Sequence, residues 1–374
     1  MLTTTSLFFT SRAAKRFARC DIGRSTSSLI LSARGRPSRG RNWKSCVRPP
    51  LFTVSRLQPD NYGEQEIIGR ICRKAGIKRN SRLILGIGDD CAIFREPGST
   101  EDLLFTTDMV IESVHFLAGV HPAASVGHRT LARGLSDIAA MGGRPLFCLL
   151  SLALAPWTNQ AWLDEFLKGF FRLARQTGTT LAGGDLAKAD RVMADIVVCG
   201  AVPRGKALRR DGARPGDDIY VSGELGGAAL GLYQRHGRAW RKHLNPTPRL
   251  DLGRFLRQRL RATSAMDISD GLSLDLHRLC SASAVGAVIE QQPPAFPGAR
   301  LEQVLHGGED YELLFTVPAG QRVPCVYRGV KLARIGTIVR GRPGTVFFKG
   351  TPLEPLGYDH FAKFKHCLPG NASQ

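Results

Sequence analysis

The chain has 374 residues, 43% of them hydrophobic, with 52 Lys and Arg against 32 Asp and Glu and a net charge of +20. That length can bury a large core and implies two domains. The nine cysteines are scattered with no Cys-x-x-Cys pair, which excludes a zinc or disulfide framework and points to a reducing, cytoplasmic setting.

A surplus of +20 would ordinarily suggest nucleic acid or a membrane surface. Its distribution argues against that. Residues 1–60 hold 12 Lys or Arg and 2 Asp or Glu, and so carry half of the surplus. This segment is rich in Ser, Thr and Arg and has no sustained period, so it is expected to be disordered or only locally helical. It reads as a transit peptide, as a basic arm touching RNA, or as a non-native extension. The expectation adopted is a tail without catalytic function. No apolar stretch of secretory type precedes the rest. The run Leu146–Ala155 ends at Pro156, about half the length a membrane span needs.

Residues 61–79 read as a short helix, with Ile67, Ile68 and Ile71 in one stripe and Gly76 near its end. Leu83-Ile84-Leu85 then enters a Gly-x-Gly turn that delivers Asp89 and Asp90, and the apolar run Cys91–Phe94 follows at once. Carboxylates held at such a strand end can bind hard cations through oxygen, although an ordinary Asx turn has the same pattern. Leu103–Phe105 ends in Thr106-Thr107-Asp108, and Val110–Phe116 follows with His115 near its end. Again a strand is expected to stop where oxygen side chains begin.

Ala123–Met141 reads as a helix with Leu131, Leu135 and Ile138 on its apolar face and Gly142-Gly143 terminating it. Asp137 lies beside that face, where an acid costs desolvation energy unless something positive meets it. Pro145–Leu154 reads as a buried strand. Residues 159–177 read as a helix whose Trp162, Phe166 and Phe170 form core, and Gly178 ends it. Thr179–Leu181 leads into Gly183-Gly184-Asp185, a third strand-like run ending in glycine and aspartate. Val192–Val202 is another strand.

The polar stretch Pro203–Asp218 is where the domain boundary is expected. The chain then divides into a basic extension over 1–60, an N-terminal domain over 61–206 and a C-terminal domain over 207–374. Ile219–Val221 enters the glycine loop 222–227 before an Ala/Leu-rich helix. That arrangement suggests a phosphate cradle, but close helix–strand packing explains the glycines equally well. Residues 233–262 are basic. Next, Met266-Asp267-Ile268-Ser269-Asp270-Gly271 precedes a helix carrying Leu272, Leu276 and Leu279. Asp270 or Ser269 could cap that helix, yet three oxygen side chains in four positions exceed what a cap needs. Residues 305–312, Leu-His-Gly-Gly-Glu-Asp-Tyr-Glu, precede the strand Leu313–Val317, and short strand-like pieces lead to Gly357-Tyr358-Asp359-His360-Phe361.

The carboxylates of interest are Asp90, Asp108, Asp137, Asp185, Asp267 and Asp270. An oxygen-only set without paired His or Cys points to Mg2+ rather than zinc or iron. Several Mg2+ ions beside glycine turns suit a nucleotide polyphosphate. No residue stands out as a catalytic base. That absence fits a phosphate acceptor, whose second pKa of about 6 leaves it already ionised.

The stretches GIGDDCAIF, TTDMVIESVHF, LSDIAAMGG, AGGD, MDISDGLSLDL, GGEDYELLF and GYDHF, in this order over roughly residues 60–363, resemble the thiamine-monophosphate kinase family. That family belongs to the superfamily of aminoimidazole ribonucleotide synthetase and selenophosphate synthetase. The resemblance implies an α+β / α/β two-domain fold: an N-terminal mixed sheet with helices that dimerises by sheet pairing, and a C-terminal α/β domain. It implies ATP-dependent conversion of thiamine phosphate to thiamine diphosphate by direct in-line transfer, without a phospho-enzyme and in a homodimer. Carried over by motif, Asp90, Thr106, Thr107, Asp108, Asp137, Asp185, Asp267 and Asp270 would be magnesium ligands, with Asp89 orienting its neighbour. Gly184, Asp185, Arg210 and Ser269 would meet ATP, and His115, Glu309 and Tyr358 would hold the thiamine end. After AGGD the family often continues with a polar stretch. Here Leu186-Ala187-Lys188 follows.

Two other readings compete. One is a different ATP-using member of the superfamily; selenophosphate synthetase would need a reactive cysteine in an N-terminal glycine-rich loop, a setting that Cys46 lacks. The other is a non-enzymatic RNA-binding protein acting through the basic arm. Neither nucleic acid nor a membrane is the expected partner.

Overall fold

The computed structural model describes residues 63–75 and 82–361. The expected basic tail over 1–60, and Gly76 at the end of the first helix, lie outside the described residues. The chain begins with α1 (Glu64–Ala75), whose isoleucine stripe buries no residue, Ile71 being 52% exposed. Six strands then form the first sheet: β1 (Leu83–Leu85), β2 (Ala92–Phe94), β3 (Glu101–Ile111), β4 (Arg144–Leu154), β5 (Thr180–Lys188) and β6 (Met193–Pro203). Their order is β1-β2-β3-β6-β4-β5, parallel only between β4 and β5. Two helices, α2 (Ala123–Ala140) and α3 (Gln160–Thr177), belong to this half.

α3 starts where the Asn159 side chain accepts the Trp162 N–H at 2.9 Å, and stops at Gly178, whose φ of 68° suits glycine. Phe166 and Phe170 are fully buried, as their spacing predicts. Glycine lets α3 press directly on α2. A methyl group at Gly169 would lie 1.7 Å from the Ala124 carbonyl oxygen, and one at Gly127 would lie 2.0 Å from that of Phe166. The clamp matters because α2 carries much of the candidate site.

The second half is built from β7 (Asp218–Ser222), α4 (Gly227–Gln234), α5 (Gly237–Leu244), α6 (Leu250–Phe255) with a π-helical turn over Leu256–Leu260, and β8 (Ser264–Ile268). It continues through α7 (Leu272–Ala282), β9 (Gly286–Ile289), α8 (Leu301–His306), β10 (Glu312–Val317), β11 (Val326–Tyr327), β12 (Val330–Val339), β13 (Val346–Phe348) and β14 (Thr351–Pro352). The second sheet runs β14-β13-β9-β12-β7-β10-β8, with β11 on β12. The expected mixed α+β architecture of two sheets with helices is therefore observed. Each sheet has its own apolar core. A third cluster joins them, packing Ala139 and Ala140 of α2 against Leu252, Leu256 and Phe315. The proposed boundary at 206 and 207 falls in the loop between β6 and β7.

Three local expectations change. Leu103–Phe105 and Val110–Phe116 were expected as separate strands; β3 runs unbroken from Glu101 to Ile111, with Thr106-Thr107-Asp108 in its middle. Residues 112–116 turn instead, with Ser113 at φ 68°. β5 likewise runs straight through Gly183-Gly184-Asp185. A ladder of backbone hydrogen bonds is indifferent to side-chain polarity, so polar residues need not end a strand. Finally, neither Ser269 nor Asp270 caps α7. The Asp275 carboxylate, one turn inside the helix, accepts the N–H groups of Asp270 at 3.1 Å and Gly271 at 3.0 Å.

Candidate active site

α2 is apolar and buried over most of its length, yet it carries Arg129, Arg133, Ser136 and Asp137. Offsets of four, seven and eight from Arg129 put these side chains along one helical face. Asp137 ends that row. Asp90, in the turn between β1 and β2, and Asp267, on β8, converge on it. Each of the three offers an oxygen within 4.8 Å of the others. The Thr106 hydroxyl donates to Asp137 Oδ2, and the Ser136 hydroxyl donates to Asp267 Oδ2 at 2.6 Å. Arg210 donates from Nη2 to Asp90 Oδ1. Asp89 orients this group: its carboxylate accepts the Asp90 N–H at 2.9 Å and the Arg210 N–H at 3.2 Å.

One arginine does not neutralise so many buried acids. Burial, then the neighbouring Asp90 charge, pushes Asp89 and Asp267 up to about 7. Burial and the charges of Asp267 and Asp90 hold Asp137 well above the ordinary carboxylate range. Burial also raises Asp90, against the pull of Arg210. Its Oδ2 is buried without a hydrogen-bond partner. An oxygen-only donor set, short of positive charge and with an orphaned carboxylate oxygen, fits a hard divalent cation.

The other expected ligands fall in two groups. Asp108 lies two residues from Thr106 on β3 and therefore on the same sheet face. Its Oδ1 accepts Arg133 Nε at 2.8 Å. Asp270 follows β8 and is paired with Arg278. Ser269 lies beside it, its carbonyl accepting the Glu309 N–H at 2.7 Å. Thr107 and Asp185 are not brought to the cluster within this chain. Strand alternation turns Thr107 to the opposite face, where its hydroxyl meets Asp195 on β6 at 2.9 Å. In the strand registers, Asp185 is level with Ser151, Asp195 and Met109, so it shares that open face at the far edge of the sheet. Gly184 precedes it, pressed against β4: a methyl group there would lie 1.7 Å from the Leu150 carbonyl oxygen.

His115, Glu309 and Tyr358 come together from three segments. His115 Nδ1 accepts the Ile111 N–H at 3.0 Å, and its ring meets His360 edge-on at 5.1 Å. Burial, then the charge of Arg133, brings the His115 imidazole down to about 3, so it is neutral. The Tyr358 N–H bonds the Asp270 carbonyl at 2.9 Å, which ties the end of the described chain to the loop after β8. Tyr358 is 47% exposed, which leaves its side chain available for stacking. Glu309 has a φ of 64° and is clamped by Arg129, with Arg133 and His243 at 3.6 Å and 3.4 Å. Burial raises its pKa, but these partners outweigh burial and hold it below the ordinary value. Glu309 is therefore a carboxylate whose charge is balanced by partners within the chain.

Sequence reading missed Arg129, Arg133, Ser136, His243, Asp275 and Arg278. The four polar positions along one face of α2 were the available signal. The possible phosphate cradle at 222–227 is overturned: the Asp310 carboxylate accepts the Gly226 N–H, and that of Ala228 at 3.1 Å, so the N-terminus of α4 already holds an anion. A cavity of about 630 Å³ beside Asp310 and Glu312 includes none of the three clustered carboxylates.

Residues 88–204 match the family model described as AIR synthase related protein, N-terminal domain, which sets the class. Thiamine-monophosphate kinase of Escherichia coli (strain K12) is 38% identical over 329 residues, covering 80% of this chain and 98% of the relative. The solved complex described as AaThiL complexed with AMPPCP and TMP superposes with a TM-score of 0.71 at 31% identity, over 80% of this chain and 97% of that one. Thiamine-monophosphate kinase from Stenotrophomonas maltophilia K279a gives a TM-score of 0.63 at 37% identity, over 76% and 96%. The chain belongs to the thiamine-monophosphate kinase family.

Proposed function

We propose that this chain transfers the γ-phosphoryl group of ATP to thiamine phosphate, giving ADP and thiamine diphosphate. The observation that carries the reading is the convergence of Asp90, Asp137 and Asp267 from three separate elements, in a member of this family. Mg2+ would be held by these three, with Thr106, Asp108 and Asp270 beside them. Bound there, it would neutralise and align the phosphate oxygens.

The chain's own residues position and screen. Arg210 balances Asp90 and supplies a fork for nucleotide phosphate. Neutral His115, Glu309 and Tyr358 define the thiamine end. No side chain is assigned as general base, because the acceptor oxygen is already ionised at neutral pH.

Two copies are proposed to pair through the open face of the first sheet. Met109 and Leu149 are 45% and 37% exposed there, beside Thr107 and Asp185. The metal and ATP roles of Thr107, Gly184 and Asp185 depend on that pairing. Among the described residues, no helix is long and apolar enough to cross a membrane, which is compatible with the cytoplasmic setting proposed. An ADP-release assay tests the reading: release should require both Mg2+ and thiamine phosphate, and release that ignores either would reject it.

A further inference from the structure

We infer that Arg133 reads the phosphate of the acceptor, so that this chain accepts thiamine phosphate and rejects unphosphorylated thiamine. The inference rests on the substrate reading above. Two arginines one turn apart on α2, Arg129 and Arg133, differ in how their donors are used.

Arg129 is 1% exposed and both its terminal nitrogens are occupied. Nη1 donates to His243 Nε2 at 2.7 Å, and Nη2 donates to Glu309. His243 Nε2 is thus an acceptor, which leaves the proton on Nδ1, facing Glu309 Oε2 at 3.4 Å. Burial brings this imidazole down to about 3, and it stays neutral. Arg129 Nη2 thus anchors the Glu309 carboxylate while Nη1 holds His243 beside it. Both terminal nitrogens of Arg129 are engaged within the chain.

Arg133 is different. Its Nε donates to Asp108 Oδ1 at 2.8 Å. Among the described residues its two terminal nitrogens make no hydrogen bond, since Nη1 stands 3.6 Å from Glu309 Oε1, too far for one. The side chain keeps 14% of its surface open. A partly open guanidinium with a free planar fork is the donor set that a phosphate group fills bidentately.

Its place decides which phosphate. Arg133 bridges Asp108, beside the carboxylate cluster, and Glu309, beside His115 and Tyr358. A substrate with its organic end at His115 and Tyr358 and its reacting end at the cluster must pass its own monoester phosphate across this point. Thiamine, ending in an alcohol, would leave the fork unpaired, and a site built around a missing polar partner discriminates strongly.

The test uses the full chain and the variants Arg133→Met and Arg133→Lys. Steady-state constants are measured for thiamine phosphate and for ATP. Binding of thiamine phosphate and of thiamine is measured by titration calorimetry without nucleotide. Arg133→Met should raise the KM for thiamine phosphate about tenfold or more, leave the KM for ATP within about twofold, and erase the binding preference over thiamine. Arg133→Lys keeps the charge but not the fork, and should lose most of that preference with its melting temperature unchanged. Either variant keeping the wild-type preference overturns the assignment. If wild type does not phosphorylate thiamine phosphate, the substrate reading falls and takes this assignment with it. If wild type does and Arg133→Met matches it, this assignment falls alone.

Discussion

The Ser136 hydroxyl donates to Asp267 Oδ2 at 2.6 Å, joining α2 of the first half to β8 of the second across 131 positions of sequence. Both residues are buried, Ser136 at 0% and Asp267 at 2% exposure. The bond fixes where the Asp267 carboxylate stands relative to Asp137, one residue further along α2. Packing between the two halves thus holds the acid cluster in place, the kind of arrangement that electrostatic preorganisation uses.

Replacing Asp267 separates activity from folding. Asn is nearly isosteric, keeps an oxygen for Ser136, and removes one charge from a cluster that burial already penalises. Turnover should fall by about 10³ or more, while the metal-free melting temperature should equal or exceed that of wild type. Millimolar Mg2+ should raise the melting temperature of wild type, by about 2.7 kcal/mol of stability at a hundredfold excess over Kd, and should stabilise Asp267→Asn much less. Thermal unfolding with and without Mg2+ checks this; equal stabilisation of both proteins would remove Asp267 from the metal site.

Asp90, Asp137 and Asp267 could be picked out of the sequence because each breaks a local rule. Asp90 follows a Gly-x-Gly turn between apolar runs, Asp137 sits beside the apolar face of a helix, and Asp267 lies in an apolar strand. Which face of a strand a residue occupies was harder to read. Thr106 and Thr107 are adjacent and chemically alike, yet only Thr106 reaches the cluster. The difference depends on the register of β3 against β6, which no local pattern encodes. Arg129 was invisible for another reason: an arginine in a helix normally faces water, and only its distant partners His243 and Glu309 make burial tolerable.

Glu312 should make the second half acid-sensitive. It is 1% exposed and accepts from Ser222 Oγ at 2.6 Å and Arg249 Nε at 2.8 Å. Burial raises its pKa, but Arg249, Lys242 and Ser222 more than reverse that, and the folded value lies below the ordinary one. A depressed carboxylate contributes stability above its unfolded pKa, about 4.3, and loses it as pH falls through the lower folded value. Glu312→Gln should cost about 3 kcal/mol at pH 7, because Arg249 is left buried and uncompensated. In urea titrations the gap between wild type and variant should narrow between about pH 5 and pH 3. A gap constant with pH would show that the loss is one of shape rather than charge.

Gly169→Ala sets two opposed effects against each other. Alanine favours a helix over glycine by about 1 kcal/mol. Against this, its methyl group would sit 1.7 Å from a backbone oxygen of α2, a clash that no rotamer relieves. Overpacking of this kind costs about 1–3 kcal/mol, so the clash should win and α2 should shift. The melting temperature should drop, and turnover should fall with it because α2 carries Arg129, Arg133, Ser136 and Asp137. A stabilised variant with full turnover would mean that the two helices are not clamped at this point.

The most direct measurement offers purified protein ATP and Mg2+ with thiamine or with thiamine phosphate, and identifies the product chromatographically. The account predicts thiamine diphosphate from the monophosphate, one ADP released for each molecule formed, and no phosphorylated product from thiamine. Thiamine phosphate recovered unchanged, or thiamine phosphorylated in its place, would contradict it.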